Sequence, residues 1–136
     1  MSNFLSMFDY TGKTARILGK NRINTYKDIY THIDNEQGKT LQYNGNYLGG
    51  NELAQKIYKE KYFIKDLDNK TIEKTPEDVF KRLAAFIATT EQGKTKQYKW
   101  AEKFYNELFE GRFVAGGRVL AGAGDIYRIK TLANCF

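Results

Sequence analysis

The feature that most constrains this chain is the run Thr75-Pro76-Glu77-Asp78 followed by Val79, Phe80, Leu83, Ala84, Phe86 and Ile87. Thr75 can cap a helix, and Pro76 suits the first helical position, where its missing N–H would be unpaired anyway. The two carboxylates favour the positive helix end. The apolar residues recur at intervals of three and four over a broad face, which predicts a mostly buried helix ending before Gly93. Two further stretches repeat the pattern. Asn51 reads as an N-cap for a helix over residues 52–63, with Leu53, Ala54, Ile57, Tyr58 and Ile64 near one face. Tyr98, Ala101, Phe104, Tyr105 and Leu108 mark another helix, with Gly111 placed to end it in the left-handed conformation. The polar stretch 66–74, with Asp68-Asn69-Lys70 inside it, is expected to form a turn or small hairpin. The fold class is therefore mainly α.

The flanks are less regular. Residues 1–50 carry Gly12, Gly19, Gly38, Gly45, Gly49 and Gly50 among short apolar pieces, which predicts loops with a short helix over 25–33. After Gly111 the sequence becomes Gly/Ala-rich through Gly124, where a helix is disfavoured by its glycines. Residues 126–136 resume in a mixed extended pattern, so one strand is expected there. This gives a division into an irregular segment 1–50, a helical domain 51–111 and a distinct segment 112–136.

At 136 residues the chain is one domain or part of one, and its 41% hydrophobic and 15% aromatic content excludes disorder throughout. One Cys and one His exclude an internal disulfide and a structural zinc site within the chain. No run approaches a membrane span and residues 1–12 lack the pattern of a secretory signal, so a cytoplasmic protein is expected. The net charge of +6 is scattered, with acidic residues between the basic clusters, and nucleic acid is not the expected partner.

Several motifs dissolve on inspection. Gly-Lys-Thr begins at Gly12, Gly38 and Gly93, but a phosphate-cradling loop needs glycine five positions earlier, where Met7, Ile33 and Ala88 stand. Gly122-Ala123-Gly124 lacks the third glycine of a dinucleotide fingerprint, Tyr127 taking its place. Small residues in succession there still allow side chains, backbone or a ligand to approach closely. His32 has no catalytic partner legible in the sequence and reads as a surface or packing residue. The alternation of Tyr, Phe and Lys over 58–63 fits a core-and-solvent helix as well as a basic, aromatic patch for single-stranded nucleic acid. Cys135, as an isolated thiol, would ordinarily be a small buried hydrophobe.

Its setting changes that reading. The stretch Gly111-Arg112-Phe113-Val114-Ala115-Gly116-Gly117-Arg118-Val119-Leu120-Ala121-Gly122-Ala123-Gly124, followed by Thr131-Leu132-Ala133-Asn134-Cys135-Phe136, resembles the start of the catalytic barrel in ribonucleotide reductase large subunits. It is most similar to the adenosylcobalamin-dependent class II. Upstream, Glu52-Leu53-Ala54 through Tyr62, Lys65-Asp66 and Thr75-Pro76-Glu77-Asp78-Val79-Phe80-Lys81-Arg82-Leu83-Ala84 resemble the helical N-terminal region of the same family. The resemblance covers about residues 51–136.

The resemblance implies a helical N-terminal region with the first strand or strands of a ten-stranded α/β barrel. It implies ribonucleoside-diphosphate reductase chemistry, with Cys135 as one of two cysteines that jointly reduce the substrate's 2'-carbon. Ala133 and Asn134 would lie beside the ribonucleotide, and the backbone of Gly116, Gly117, Ala121 and Gly122 would shape the nearby pocket. The implied partners are the remainder of the catalytic chain and a thioredoxin-type reductant, with adenosylcobalamin in the complete enzyme. The thiyl-radical cysteine, the partner cysteine and the substrate-phosphate loop are not among these residues, so the polypeptide alone is expected to be inactive. As part of a split enzyme it is expected to expose a strand edge and apolar surface over 120–136. The alternatives are a helical scaffold without catalysis and a basic nucleic-acid-binding module.

Overall fold

The computed structural model describes residues 19–40, 47–128 and 130–133. Gly12, Gly45, Asn134 and Cys135 lie outside the described residues. Among the described residues five α-helices form a small bundle: α1 (Lys20–Thr40), α2 (Glu52–Ile57), α3 (Pro76–Ala88), α4 (Lys94–Phe109) and α5 (Gly117–Gly122).

Helix α3 is the axis. Its residues from Pro76 through Ala85, and Ala88, are all buried, and it packs against α1, α4 and α5. The expected start is present: Thr75 is extended and the Asp78 carboxylate accepts hydrogen bonds from the backbone N–H of Lys74 and Thr75, at 3.0 and 3.3 Å. Amides at the helix entrance are thereby satisfied by a residue of the first turn. Helix α4 also follows the spacing, burying Ala101, Tyr105 and Leu108. Gly111, at φ 73°, takes the left-handed turn after it, and the backbone N–H of Gly111 and Arg112 return to Leu108 and Glu107 carbonyls.

Helix α1 is much longer than the short helix expected over 25–33. Ile23, Tyr26, Ile29, Tyr30 and Ile33 are buried at intervals of three and four, so the tyrosines act as core residues and extend the stripe. Lys81 Nζ meets Asp34 Oδ1 at 2.6 Å, joining α1 to α3. Helix α2 continues as a π-helical turn, Tyr58–Tyr62, in which Phe63 N–H reaches back to the Tyr58 carbonyl at 2.8 Å. The combined element has the predicted extent, but α2 buries none of its residues and Leu53 faces outward at 69% exposure.

The hairpin-like turn over 66–74 is present as a single antiparallel bridge between Lys65 and Thr71, closed by Asp66, whose carboxylate accepts from the Asp68 and Lys70 amides at 2.9 Å. Two expectations fail beyond Gly111. The glycine-rich stretch does form a helix, α5, because Leu120 is buried in the core and its end carbonyls find a partner in α3. The expected strand over 126–136 is not seen among the described residues: 126–128 form a bend and 130–133 are irregular. No barrel strand is present among the described residues.

Candidate functional site

Arg82 lies midway along α3, on the face that carries Val79 and Phe86, and is fully buried. Its Nε–H donates to Glu73 Oε2 at 3.0 Å and an Nη2–H to Glu73 Oε1 at 3.2 Å, with both side chains fully buried. Glu73 Oε1 also accepts from the Ile64 amide at 2.8 Å. The remaining guanidinium donors reach three carbonyls: Ala123 at 2.6 Å, Tyr62 at 3.1 Å, and Leu120. A planar fork with five donors suits this convergence, which a lysine could not reproduce. Burial pushes the Glu73 carboxyl up from its ordinary value, and the charge and hydrogen bonds of Arg82 pull it back. One ion pair thus binds the end of α5, the last residue of the π-helical turn and the Ile64 amide onto α3.

Gly124 continues the assembly. Its carbonyl accepts from the Tyr26 hydroxyl at 2.9 Å, its φ is +84°, and an added Cβ would stand 2.6 Å from that hydroxyl and 2.9 Å from Arg82 Cγ. The close approach expected of the small-residue run is therefore made by side chains of α1 and α3. Asp125 follows, buried, with Oδ1 accepting from the Tyr127 and Arg128 amides at 2.8 and 3.1 Å. Its Oδ2 pairs with Lys130 Nζ at 2.9 Å.

Of the residues singled out from the sequence, Gly116 and Gly117 are exposed at the start of α5, where an added Cβ on Gly117 would meet the Tyr62 ring at 3.7–3.8 Å. Ala121 is half-buried and its carbonyl accepts from Lys130 Nζ at 3.1 Å. Gly122 is buried beneath the chain's own exit segment: an added Cβ would lie 3.0 Å from Lys130 Cβ and 3.3 Å from Leu132 Cδ2. Ala133 is exposed. Ala121 and Gly122 thus meet the exit segment, while Gly116 and Gly117 sit at the other end of α5, roughly 8 Å away at 1.5 Å per residue.

His32 has a packing role: Nε2 lies 2.6 Å from Glu102 Oε1 and the ring stacks on Tyr98, which joins α1 to α4. Among the described residues no group of three or more His, Cys, Asp or Glu could hold a metal ion. None of the described helices is long and apolar enough to cross a membrane. Apolar surface is exposed within the expected stretch 120–136 at Leu132, 42% exposed, and also outside it. Leu120 and Ile126 are core residues, whereas Phe113 is 60% and Val114 80% exposed beside a groove of about 390 Å³ lined by Leu83, Ile87, Phe104, Leu108 and Val119.

The family model described as ribonucleotide reductase, all-alpha domain, matches residues 49–127, more than half of the chain. The chain belongs to this family. No curated protein and no solved structure matches it. Sequence reasoning missed Arg82, Glu73 and Asp125 within the matched residues, and Tyr26 and Arg128 outside them. Arg82 was detectable as a charge inside the apolar stripe of α3, a position that requires a buried partner. Asp125 and Arg128 carried no such signal.

Proposed function

We propose that this all-alpha domain delivers Cys135 to the catalytic centre of a ribonucleotide reductase of the adenosylcobalamin-dependent class. Cys135 acts as one of two thiols that reduce the ribonucleotide. In that step the 2'-hydroxyl leaves as water and hydrogen takes its place on carbon. The two electrons come from a dithiol that becomes a disulfide, and a thioredoxin-type dithiol resets the pair by exchange. Ala133 and Asn134 border the substrate, and Gly116, Gly117, Ala121 and Gly122 belong to the wall near it. The cysteine partner, the radical source and the substrate-phosphate site come from the rest of the catalytic chain, and the assembled enzyme works in the cytoplasm.

The observation that carries this reading is the family match across 49–127, with the Asn134-Cys135-Phe136 run starting seven residues after its end. Adenosylcobalamin does not fit the described residues. The one histidine is engaged with Glu102, and no cluster of metal-ligating side chains stands free of it. The test is co-expression with the barrel-forming part of the reductase, copurification, and a ribonucleotide reduction assay of wild type against Cys135→Ser. A stable complex whose turnover is abolished by the substitution supports the proposal. A complex that forms and stays inactive with every ribonucleotide supports a helical scaffold without catalysis.

A further inference from the structure

The groove between α3 and α4 has an apolar floor and a cationic flank. Leu83 and Ile87 of α3, Phe104 and Leu108 of α4, and Phe113 and Val119 line it, and its volume of about 390 Å³ lies in the range of ligand-binding clefts, about 300–1,000 Å³. The one carboxylate among its lining residues, Glu107, is held by Arg112 at 2.9 Å. Ile87, Phe113 and Val114 stand exposed around it, and apolar side chains gathered in water in this way mark an interaction surface. Along α4, Lys96, Trp100, Lys103 and Glu107 follow at intervals of four, three and four, so they form one ridge beside Phe104. The Trp100 and Phe104 rings lie 5.6 Å apart and Lys103 Nζ stands 5.0 Å from the Trp100 ring centroid. Both Lys96 and Lys103 are exposed.

These lysines weaken the helix that carries them. Helix α4 has no acidic residue in its first turn and no side-chain cap at Gly93, whereas α2 begins with Glu52 and α3 has Glu77 and Asp78 in its first turn. Lys94 and Lys96 instead oppose the positive end of the helix dipole. Lys99 and Lys103, four residues apart and both exposed, repel one another. Positive charge kept where it disfavours the helix has its use at the surface it faces. That surface fits an amphipathic helix: an apolar ridge at intervals of three and four enters the groove, and carboxylates on one flank meet Lys96 and Lys103. A second copy of this chain is a poor occupant, because it brings the same lysines and the same net charge of +6. The occupant that family membership supplies is the rest of the reductase, of which the all-alpha domain is one part.

We infer that this groove seats an acidic amphipathic helix of the rest of the reductase catalytic chain. This rests on the proposed assembly with that chain and is independent of the redox role of Cys135. Trp100 is the only tryptophan, so the full 136-residue chain grown with fluorotryptophan carries a single fluorine NMR signal at the edge of the groove. The rest of the catalytic chain, expressed separately without the label, should shift or broaden that signal, and added salt should weaken the binding. Lys96→Glu/Lys103→Glu should need at least about tenfold more of it for the same change, because carboxylates then face carboxylates. That variant keeps its fold, since Glu at position 96 suits the start of α4, and an undiminished thermal midpoint is the control. Phe113→Ser/Val114→Ser, which alters two exposed side chains, should weaken binding as well and serves if the charge-reversed variant does not fold. A complex that forms with the fluorine signal unmoved, or that the charge-reversed variant forms equally well, overturns the inference, as does the absence of any complex. A signal that shifts with concentration in the chain alone makes the groove a contact between copies, and one that shifts with oligothymidine but not with the catalytic chain makes it a nucleic-acid site. Either result overturns it too. If Cys135→Ser retains turnover in a complex whose fluorine signal shifts, the groove assignment stands and the redox role falls.

Discussion

Arg82 concentrates more of the fold than any other side chain, because both it and Glu73 are fully buried and each satisfies the other's charge. Removing one partner leaves a buried charge uncompensated, so Arg82→Met should cost about 3–5 kcal/mol, read as a shift of the urea midpoint. Arg82→Lys should be nearly as damaging, since a single ammonium cannot reach Glu73 and three carbonyls together. Gly124→Ala should cost at least about 1–2 kcal/mol from the left-handed backbone alone, before its collision with Tyr26 and Arg82. Burial raises the phenols of Tyr26 and Tyr30 well above the ordinary tyrosine value. Above pH 10 the unfolded chain would therefore release protons that the folded chain keeps. Stability then falls as pH rises, by about 1.4 kcal/mol per pH unit for each such phenol. Alkaline denaturation of Tyr30→Phe should be correspondingly shallower, and an unchanged slope would show that Tyr30 ionises freely in the folded protein.

Among the elements, those whose reasons are local were readable from sequence. Helix α3 announces itself through Pro76, Asp78 and an unbroken apolar stripe, and α4 through its spacing and Gly111. Helix α1 was underestimated because Tyr26 and Tyr30 serve as core while lysines, asparagines and acidic residues on the outer face dilute the pattern. Helix α5 was not legible at all. Six residues with a glycine at each end cannot hold a helix alone, and the group that ends it, Arg82, lies 38 and 41 residues from the carbonyls of Leu120 and Ala123. The same distance in sequence hid the candidate site, since Arg128 acts on a turn 59 to 63 residues earlier. A corollary is that α5 depends on α3 for its existence. Arg82→Met should release α5 amides to hydrogen exchange before those of α4, and simultaneous release of both would show that the bundle opens as one unit.

For the whole molecule, the all-alpha domain acts as a mount. Its core from α1, α3 and α4 holds α5, and α5 and the 65–71 turn hold Arg128 and Lys130. On the proposed reading, a domain with no group of three or more metal-ligating side chains among its described residues takes part in a redox reaction through Cys135 alone. The central claim is tested most directly by a single turnover of the assembled reductase without external reductant, followed by alkylation and mass mapping of Cys135. The account predicts one disulfide involving Cys135 for each deoxyribonucleotide formed, and a thiol that resists alkylation until a dithiol is added. Product formed while Cys135 remains freely alkylated would contradict it.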